Sequence, residues 1–431
     1  MGHMVANLTP EELWVIATAS VCAIACAIPG VFLMLSRSSL LADGIAHSSL
    51  AGIGAVFLLA HTRNPLAMLL GALAAGLVTA WLTSALHRNS ILKPDASLGI
   101  VFTALFSIGV LSVHVVGRYV DLDPGCVLYG LIELAPFDTI TILSYEVPRT
   151  LILLSILACI NAVLCALFWK ELAISTFDPL LASTLGFAPR RMHQGVLLMV
   201  TITIVLSFEA VGSILVVSML VAPAASAYLI SKRLATVALL APCIGVLASV
   251  LGYLGAASLN TSVAGMMSTS AGALFLAAAI FSPHQGVLLS LLTRWKMHYR
   301  IVRDDILGLL YRWHEVASQG NSKPLSPIFI AGAVTSPALA RLALWSLRRS
   351  GEVVGSRDGS LRLSERGLVE ARALVRSHRL WESYLAKHLN LPHDHLHAPS
   401  ERVEHFIGRA LARDIAEDLE TPKDPHGKTI P

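Results

Sequence analysis

The sequence predicts an all-α polytopic membrane protein of about nine transmembrane helices followed by a mostly helical soluble domain that contains a winged helix. Three observations predict this. The first is solvent. Of 431 residues, 55% are hydrophobic and 14% charged, and the mean hydropathy is +0.68. A soluble domain is roughly 25% charged, so this chain has too few polar groups to cover a water-exposed surface. The second is segregation of charge: residues 1–297 carry 13 Lys+Arg and 12 Asp+Glu, and residues 298–431 carry 19 and 16. The third is the recurrence of apolar segments of spanning length.

Those segments lie at about 12–35, 40–60, 65–86, 96–117, 148–169, 194–209, 211–230, 234–257 and 262–281. Glu209 interrupts one long apolar stretch, and EAVG at 209–212 reads as a turn at a membrane face. Basic residues fall in alternate connections: Arg37, then His87, Arg88 and Lys93, then Lys170, Arg190 and Arg191, then Lys232 and Arg233, then Arg294 and Lys296. The connection at 118–147 is acidic instead, with Asp121, Asp123, Glu133, Asp138 and Glu146. Positive charge marks the cytoplasmic side, so the N-terminus is expected outside and the charged tail in the cytoplasm. Small residues at GALAAG 71–76, Gly52, Gly54 and 222–227 allow close helix approach. Pro29, Pro223 and Pro242 lie inside spans, as kinks or as breaks near a pathway.

The expected organisation is a tag scar (MGHM at 1–4) and N-terminal segment at 1–11, a membrane domain at 12–283, a linker at 284–297 and a soluble domain at 298–431. No cleavable signal peptide is expected, because the first apolar segment is too long and lacks a basic flank. The six cysteines (Cys22, Cys26, Cys126, Cys159, Cys165 and Cys243) lie mostly in apolar runs, and none is in the tail. Their spacing fits neither a zinc finger nor a disulfide framework, and small buried hydrophobes are expected.

One basic connection is long and amphipathic. In STFDPLLASTLG at 175–186, Ser175 or Thr176 is expected to cap a short helix near Asp178 and Pro179. Its apolar side would carry Leu180, Leu181 and Leu185, with Phe177 and Gly186 flanking it. Such a helix reads as an ordinary loop helix or as one seated in a partner protein.

Asp43 and His47, in LLADGIAHSSLAG at 40–52, are four apart and share one helix face. Ionisable groups at membrane depth are costly and usually functional. A carboxylate with an imidazole suits Mn²⁺, Fe²⁺ or Zn²⁺; the alternative is a helix-start Asp with a hydrogen-bonded His. This stretch, with DASLGIVFT at 95–103, STFDPLLASTLG at 175–186 and VGSILVVSMLVAPAASA at 211–227, resembles the ABC-type manganese/zinc/iron permeases over about 12–283. The resemblance implies a metal path through Asp43 and His47 and an ATPase-coupling helix at 175–186. It also implies an extracytoplasmic metal-binding protein, a second permease chain and a bacterial inner-membrane location. The chain itself carries no phosphate-cradling motif: in GKT at 427–429 the upstream glycine position, 422, is Pro. Hydrolysis is therefore expected from a separate cytoplasmic ATPase subunit, and the chain is not expected to be an enzyme.

Nine of the sixteen histidines lie from His298 onward. His378 and Glu382 are i,i+4, and Glu401, Glu404 and His405 are grouped at helical spacing. Such sets read as metal ligands or as solvated helix faces. Together with VRDDILGLLYRWHE at 302–315, the blocks HRLWE at 378–382, ERVEH at 401–405 and DPHG at 424–427 resemble the diphtheria-toxin-repressor family of iron- and manganese-dependent regulators. The resemblance implies a primary metal site of Asp305, Glu401, Glu404 and His405, and an ancillary site of His378, Glu382 and His397. It also implies metal-binding and dimerisation helices at 366–431. Acids at 305 and 401 make the set hard and favour Mn²⁺ over Fe²⁺ or Zn²⁺. Gly308 departs from the pattern, standing where the manganese regulators have a ligating Glu.

Between these blocks, SPALARLALWSLRRSG at 336–351 reads as a helix and EVVGSRDGSLRL at 352–363 as a β-hairpin turning at Asp358-Gly359, which makes 298–365 a winged helix. A membrane-anchored, metal-dependent transcriptional regulator is the rival reading. The weak basic excess and the Ala/Leu-rich helix disfavour DNA as a partner. A permease for an organic chelate is a third, which the ionisable Asp43/His47 pair argues against. The expectation is a permease for a divalent metal, most of all Mn²⁺, whose tail senses cytosolic metal and limits its accumulation, with no organic cofactor.

Overall fold

The computed structural model describes residues 9–60, 64–89, 91–117, 132–142, 145–284, 286–318, 325–333, 336–356, 360–389, 403, 405, 407–419 and 423–431. The chain divides into two compact units, Met1–Leu289 and Ser290–Pro431.

In the first unit the helices are α1 (Pro10–Leu35), α2 (Leu40–Ala60), α3 (Pro65–Asn89), α4 (Pro94–Gly117), α5 (Arg149–Leu167), α6 (Trp169–Phe177), α7 (Pro179–Thr184), α8 (Pro189–Val211), α9 (Ser213–Ile230), α10 (Leu234–Leu259) and α11 (Val263–Phe281). All but α6 and α7 are long and apolar enough to cross a membrane, so the described residues contain nine such helices. Before α5 lie a 3₁₀ turn, Ile132–Phe137, and an antiparallel hairpin of β1 (Thr139–Ile142) and β2 (Tyr145–Pro148).

The start of α1 follows from its sequence. Thr9 and Glu12 form a reciprocal capping box, with Thr9 N–H donating to Glu12 Oε2 at 2.7 Å, and Pro10 opens the helix. The middle of α1 is sheathed on all sides: Cys22, Ala23, Cys26, Val31, Phe32 and Leu33 are buried against α5, α8, α9 and α10. In a bilayer, association rests on close van der Waals fit and interhelical hydrogen bonds rather than on burial from water. Both devices are present. Asn161 on α5 donates to the Ala25 carbonyl at 3.0 Å and to Thr203 Oγ1 at 2.9 Å, tying three spans. Thr79 on α3 donates to Ser48 on α2 at 2.6 Å. A Cβ on Gly52 would sit 2.0 Å from the Gly71 carbonyl oxygen, so α2 and α3 meet backbone to backbone. Pro29, Pro223 and Pro242 are all inside continuous helices. The break expected at 209–212 narrows to Gly212, whose φ of 80° separates α8 from α9, while Glu209 lies within α8. Cys22, Cys26 and Cys165 are buried as expected, whereas Cys159 and Cys243 are exposed; Cys126 lies outside the described residues.

The second unit contains most of α12 (Val287–Ala317), then α13 (Pro327–Ala333), α14 (Pro337–Arg349), the hairpin of β3 (Val353–Gly355) and β4 (Leu361–Leu363), α15 (Glu365–Leu389) and α16 (Arg409–Leu419). The stretch 287–297, within the expected linker, is helical. The strands pair antiparallel, Val353 opposite Leu363, and the expected turn residues Asp358 and Gly359 lie outside the described residues. The core joins Ile306, Leu307 and Leu310 of α12, Ala343, Leu344 and Leu347 of α14, and Ala371 and Val375 of α15. A second cluster packs Leu380 against Ala412, Ile415 and Leu419 of α16.

Candidate metal sites

In the membrane unit, α2 follows a tight turn at Arg37, whose φ is 56°. Asp43 falls in its first turn, where a negative charge complements the helix dipole. One turn later His47 Nε2 lies 3.4 Å from Asp43 Oδ1, with side-chain exposures of 25% and 51%. The His47 ring rests on two aromatics of α4, with centroids 5.7 Å from Phe102 and 5.4 Å from Phe106, which themselves stack. The neighbouring hydroxyls turn inward instead: Ser48 donates to the Ile45 carbonyl and Ser49 to that of Ala46. Asp43 and His47 are thus the only ionisable groups on α2, held together on one face.

The segment at 175–186 is a helix pair. Ser175 and Thr176 do not cap the second helix, because they lie inside α6. Asp178 is the cap: its Oδ1 accepts from Leu181 N–H at 2.9 Å, and Pro179 opens α7. A carboxylate directly before a proline satisfies the first turn better than a hydroxyl two or three residues upstream. Leu172 and Ala182 anchor the pair inward, while Phe177, Leu180, Leu181 and Leu185 are exposed. Gly186, with φ 85°, ends it.

In the tail, α12 carries Asp304 and Asp305 side by side, and the buried His405 ring lies between them. Its Nε2 is 3.5 Å from Asp305 Oδ1 and its Nδ1 is 3.5 Å from Asp304 Oδ2. The sequence reading missed Asp304. It is also flanked by Arg300 at 3.8 Å and Arg303 at 3.6 Å, and Arg303 reaches Glu352, at the base of the hairpin, at 2.5 Å. At Gly308 an added Cβ would meet only Leu374 Cδ2 at 3.6 Å, an ordinary contact, so space does not explain the missing Glu.

On α15, His378 Nε2 and Glu382 Oε1 are 3.2 Å apart, both buried. Between them lies a residue whose role the sequence did not reveal. Arg379, 5% exposed, donates to both Glu315 oxygens at 3.1 and 2.6 Å and to the Thr429 carbonyl at 2.6 Å, with Asp424 at 3.6 Å. Asp424, from the DPHG block, accepts from the backbone N–H of His426 at 3.0 Å and of Lys428 at 2.7 Å. That block therefore forms a turn around a buried carboxylate, and Arg379 joins α12, α15 and the C-terminal segment.

Glu401, Glu404 and His397 lie outside the described residues. Among the described residues no group of three or more His, Cys, Asp or Glu side chains converges on one point. In the tail, Asp304 and Asp305 face opposite edges of one imidazole, and a single ion can bind only one ring nitrogen. Each His–carboxylate pair nevertheless has a ligand-like spacing. Two ligands about 2.1 Å from one ion are about 3.0 Å apart at a right angle and about 3.4 Å apart in a tetrahedron. The pairs measure 3.4, 3.5 and 3.2 Å.

Comparison with known proteins matches one family within each of the two units. The model of the ABC 3 transport family matches residues 11–282, and that of the iron dependent repressor, metal binding and dimerisation domain, matches residues 364–431. The manganese transport system membrane protein MntD of Bacillus subtilis is 38% identical over 278 residues, which span 64% of this chain and 94% of MntD. The zinc transport system membrane protein TroD of Treponema pallidum is 39% identical over 274 residues, 64% of this chain and 75% of TroD. Among solved structures, PsaBC from Streptococcus pneumoniae in complex with Fab is similar with a TM-score of 0.54 and 28% identity, over 64% of this chain and 94% of that one.

Proposed function

The chain belongs to the ABC 3 transport family and ends in an iron-dependent-repressor metal-binding and dimerisation domain, and from that premise we propose that it is the permease subunit of an ABC importer for a divalent transition metal, Mn²⁺ first, whose tail gauges cytoplasmic metal. The observation that carries this reading is the Asp43–His47 pair. It is the only ionisable pair on its span, its imidazole lies against Phe102 and Phe106, and half of the Asp43 side chain is exposed in a single chain. An isolated carboxylate facing lipid is costly. A second copy or a second permease chain apposed at this face would cover it and complete the ligand shell that one chain leaves at two donors.

The exposed apolar side chains of α6 and α7, Phe177, Leu180, Leu181 and Leu185, are the surface on which an ATPase subunit would seat. Cargo would arrive from an extracytoplasmic metal-binding protein. The alternation of basic connections supports a cytoplasmic tail. There, Asp305 and His405 would hold metal with Glu401 and Glu404, and His378 and Glu382 would do so with His397. Asp304, on the opposite edge of the His405 ring, would orient that ring as a carboxylate does behind a metal-bound imidazole. Oxygen-rich donor sets favour Mn²⁺ over Zn²⁺, although relatives of both kinds exist.

The test is ATP hydrolysis and metal uptake by the full chain reconstituted with its ATPase, compared across Mn²⁺, Fe²⁺ and Zn²⁺. Asp43→Ala should lower uptake by at least about tenfold; uptake at the unsubstituted level refutes the pathway. Asp305→Ala with His405→Ala should leave uptake intact and remove its dependence on internal metal; an unchanged dependence refutes the gauge. Metal-dependent, sequence-specific DNA binding by the full chain would instead favour a tethered regulator.

A further inference from the structure

At one edge of the membrane unit is a cleft of about 760 Å³ with no assigned role. Its walls are the turn after α1, the last turn of α3, the α6–α7 pair and the first turn of α8. These are ends of spans, so the cleft lies where bilayer meets water. Arg37, Arg88 and Arg190 line it together with His87 and His193, and no Asp or Glu does. All three arginines are exposed, and among the described residues none of them pairs with a carboxylate.

Three further features call for an anion. α8 opens into the cleft with no side-chain cap at Ala188 and no acid in its first turn, leaving its N–H groups and positive dipole end uncompensated. Arg190 sits on that same positive end, an arrangement that is unfavourable until a negative charge joins it. Ser175 Oγ, on the α6 wall, is buried with no hydrogen-bond partner among the described residues. Guanidinium forks, a free hydroxyl and helix N–H groups together match the oxygens of a phosphate ester.

We propose that this cleft binds the phosphate of an anionic phospholipid headgroup. A lipid rather than free phosphate is favoured by the cleft's membrane side. Trp81 stands on its rim with 69% of its surface exposed, an amphipathic ring suited to headgroup depth, and Leu35, Met192 and Val196 form an apolar wall for the first methylenes of the acyl chains. An occupied cleft would also brace α6, because Ser175 and Thr176 are part of its wall. That consequence rests on the transporter reading; the site itself does not.

The full chain is placed in nanodiscs of phosphatidylcholine with or without phosphatidylglycerol, and lipids retained on release are identified by native mass spectrometry. The unsubstituted chain should keep phosphatidylglycerol selectively. Arg37→Gln, Arg88→Gln and Arg190→Gln should each lower that retention roughly fivefold, leaving phosphatidylcholine unchanged. These are exposed span-end positions, so thermal unfolding should not move; Ser175→Ala should weaken retention without changing the charge. Undiminished retention in the triple variant overturns the site. An equal loss from Lys232→Gln with Arg233→Gln, at another basic connection, overturns it too, since general surface charge would then suffice. Displacement of the lipid by millimolar inorganic phosphate that itself stays bound overturns the lipid assignment in favour of a free phosphate.

Discussion

Arg379→Met should release the C-terminal segment from the tail. The substitution keeps an unbranched apolar stem and removes the guanidinium that makes three hydrogen bonds and faces Asp424. The partners respond differently. Glu315 is 33% exposed and can rehydrate, so its loss costs little. Asp424 is 3% exposed; it keeps its two N–H donors but loses its counter-charge. Removing one partner of a buried ion pair costs about 3–5 kcal/mol. The stranded Thr429 carbonyl adds to this, but the two terms overlap because the same segment is released. A net loss of about 4 kcal/mol corresponds to a roughly thousandfold rise in local opening. Hydrogen exchange measured by mass spectrometry on the full chain reads this in 423–431, where Asp424 N–H donates to Lys428 at 2.8 Å and Gly427 N–H to Asp424 at 3.0 Å. Peptides of the membrane helices serve as the internal standard. Arg379→Lys should fall between, keeping charge but losing the fork. Exchange in 423–431 accelerated less than about threefold, well under 1 kcal/mol, would refute the assignment of Arg379 as the hub.

Asp43→Ala should lower radiolabelled manganese uptake by at least about tenfold, the effect of losing one charge-assisted ligand, with Asp43→Glu retaining part; equal uptake per folded chain defeats the pathway. Gly52→Val should destabilise the α2–α3 contact by about 3 kcal/mol or more, since any Cβ meets the Gly71 carbonyl at 2.0 Å; an unshifted thermal midpoint in detergent would show that the helices do not approach so closely. Leu180→Asp with Phe177→Asp should uncouple the chain from its ATPase without altering its fold, read as loss of co-purification; undiminished co-purification removes this surface from the interface. Asp418 is held below the ordinary carboxylate range by the hydrogen bond from His388 at 2.7 Å and by Lys387 at 3.3 Å. A lowered folded value means that its support of the α15–α16 contact is present above the unfolded value and fades as pH falls through the folded one. Exchange protection of α16 should therefore decline on acidification below the usual Asp range, and Asp418→Asn should remove that dependence; a pH response equal in both proteins rejects the pair as its source.

The spans were legible because a bilayer demands apolar length and little else, so most boundaries fall within a few residues of expectation. They drift where capping chemistry takes over. The sixth span begins at Pro189, not 194, since a proline-led first turn can be polar and still helical. Asp178 displaced Ser175 and Thr176 as a cap for the same reason, because local hydrogen-bond geometry decides it and hydropathy does not. The i,i+4 pairs Asp43/His47 and His378/Glu382 could be read from spacing alone, because a helix brings such residues together whatever surrounds it.

Contacts between residues far apart in the chain could not be read in this way. His405 meets Asp304 and Asp305 about a hundred residues away, and nothing in the order of residues tells which of two adjacent aspartates takes which edge of the ring. Arg379 reads as one basic residue on an amphipathic helix until folding buries it against Glu315 and Asp424. The cleft of Arg37, Arg88 and Arg190 is likewise drawn from three separate connections. The sequence by itself determined the membrane-spanning character of the first unit, the helices and the family resemblances, since each is written in local composition and period. Tertiary structure alone decided which charges are buried together and which are left facing an open cleft, because those depend on how elements distant in sequence are brought side by side.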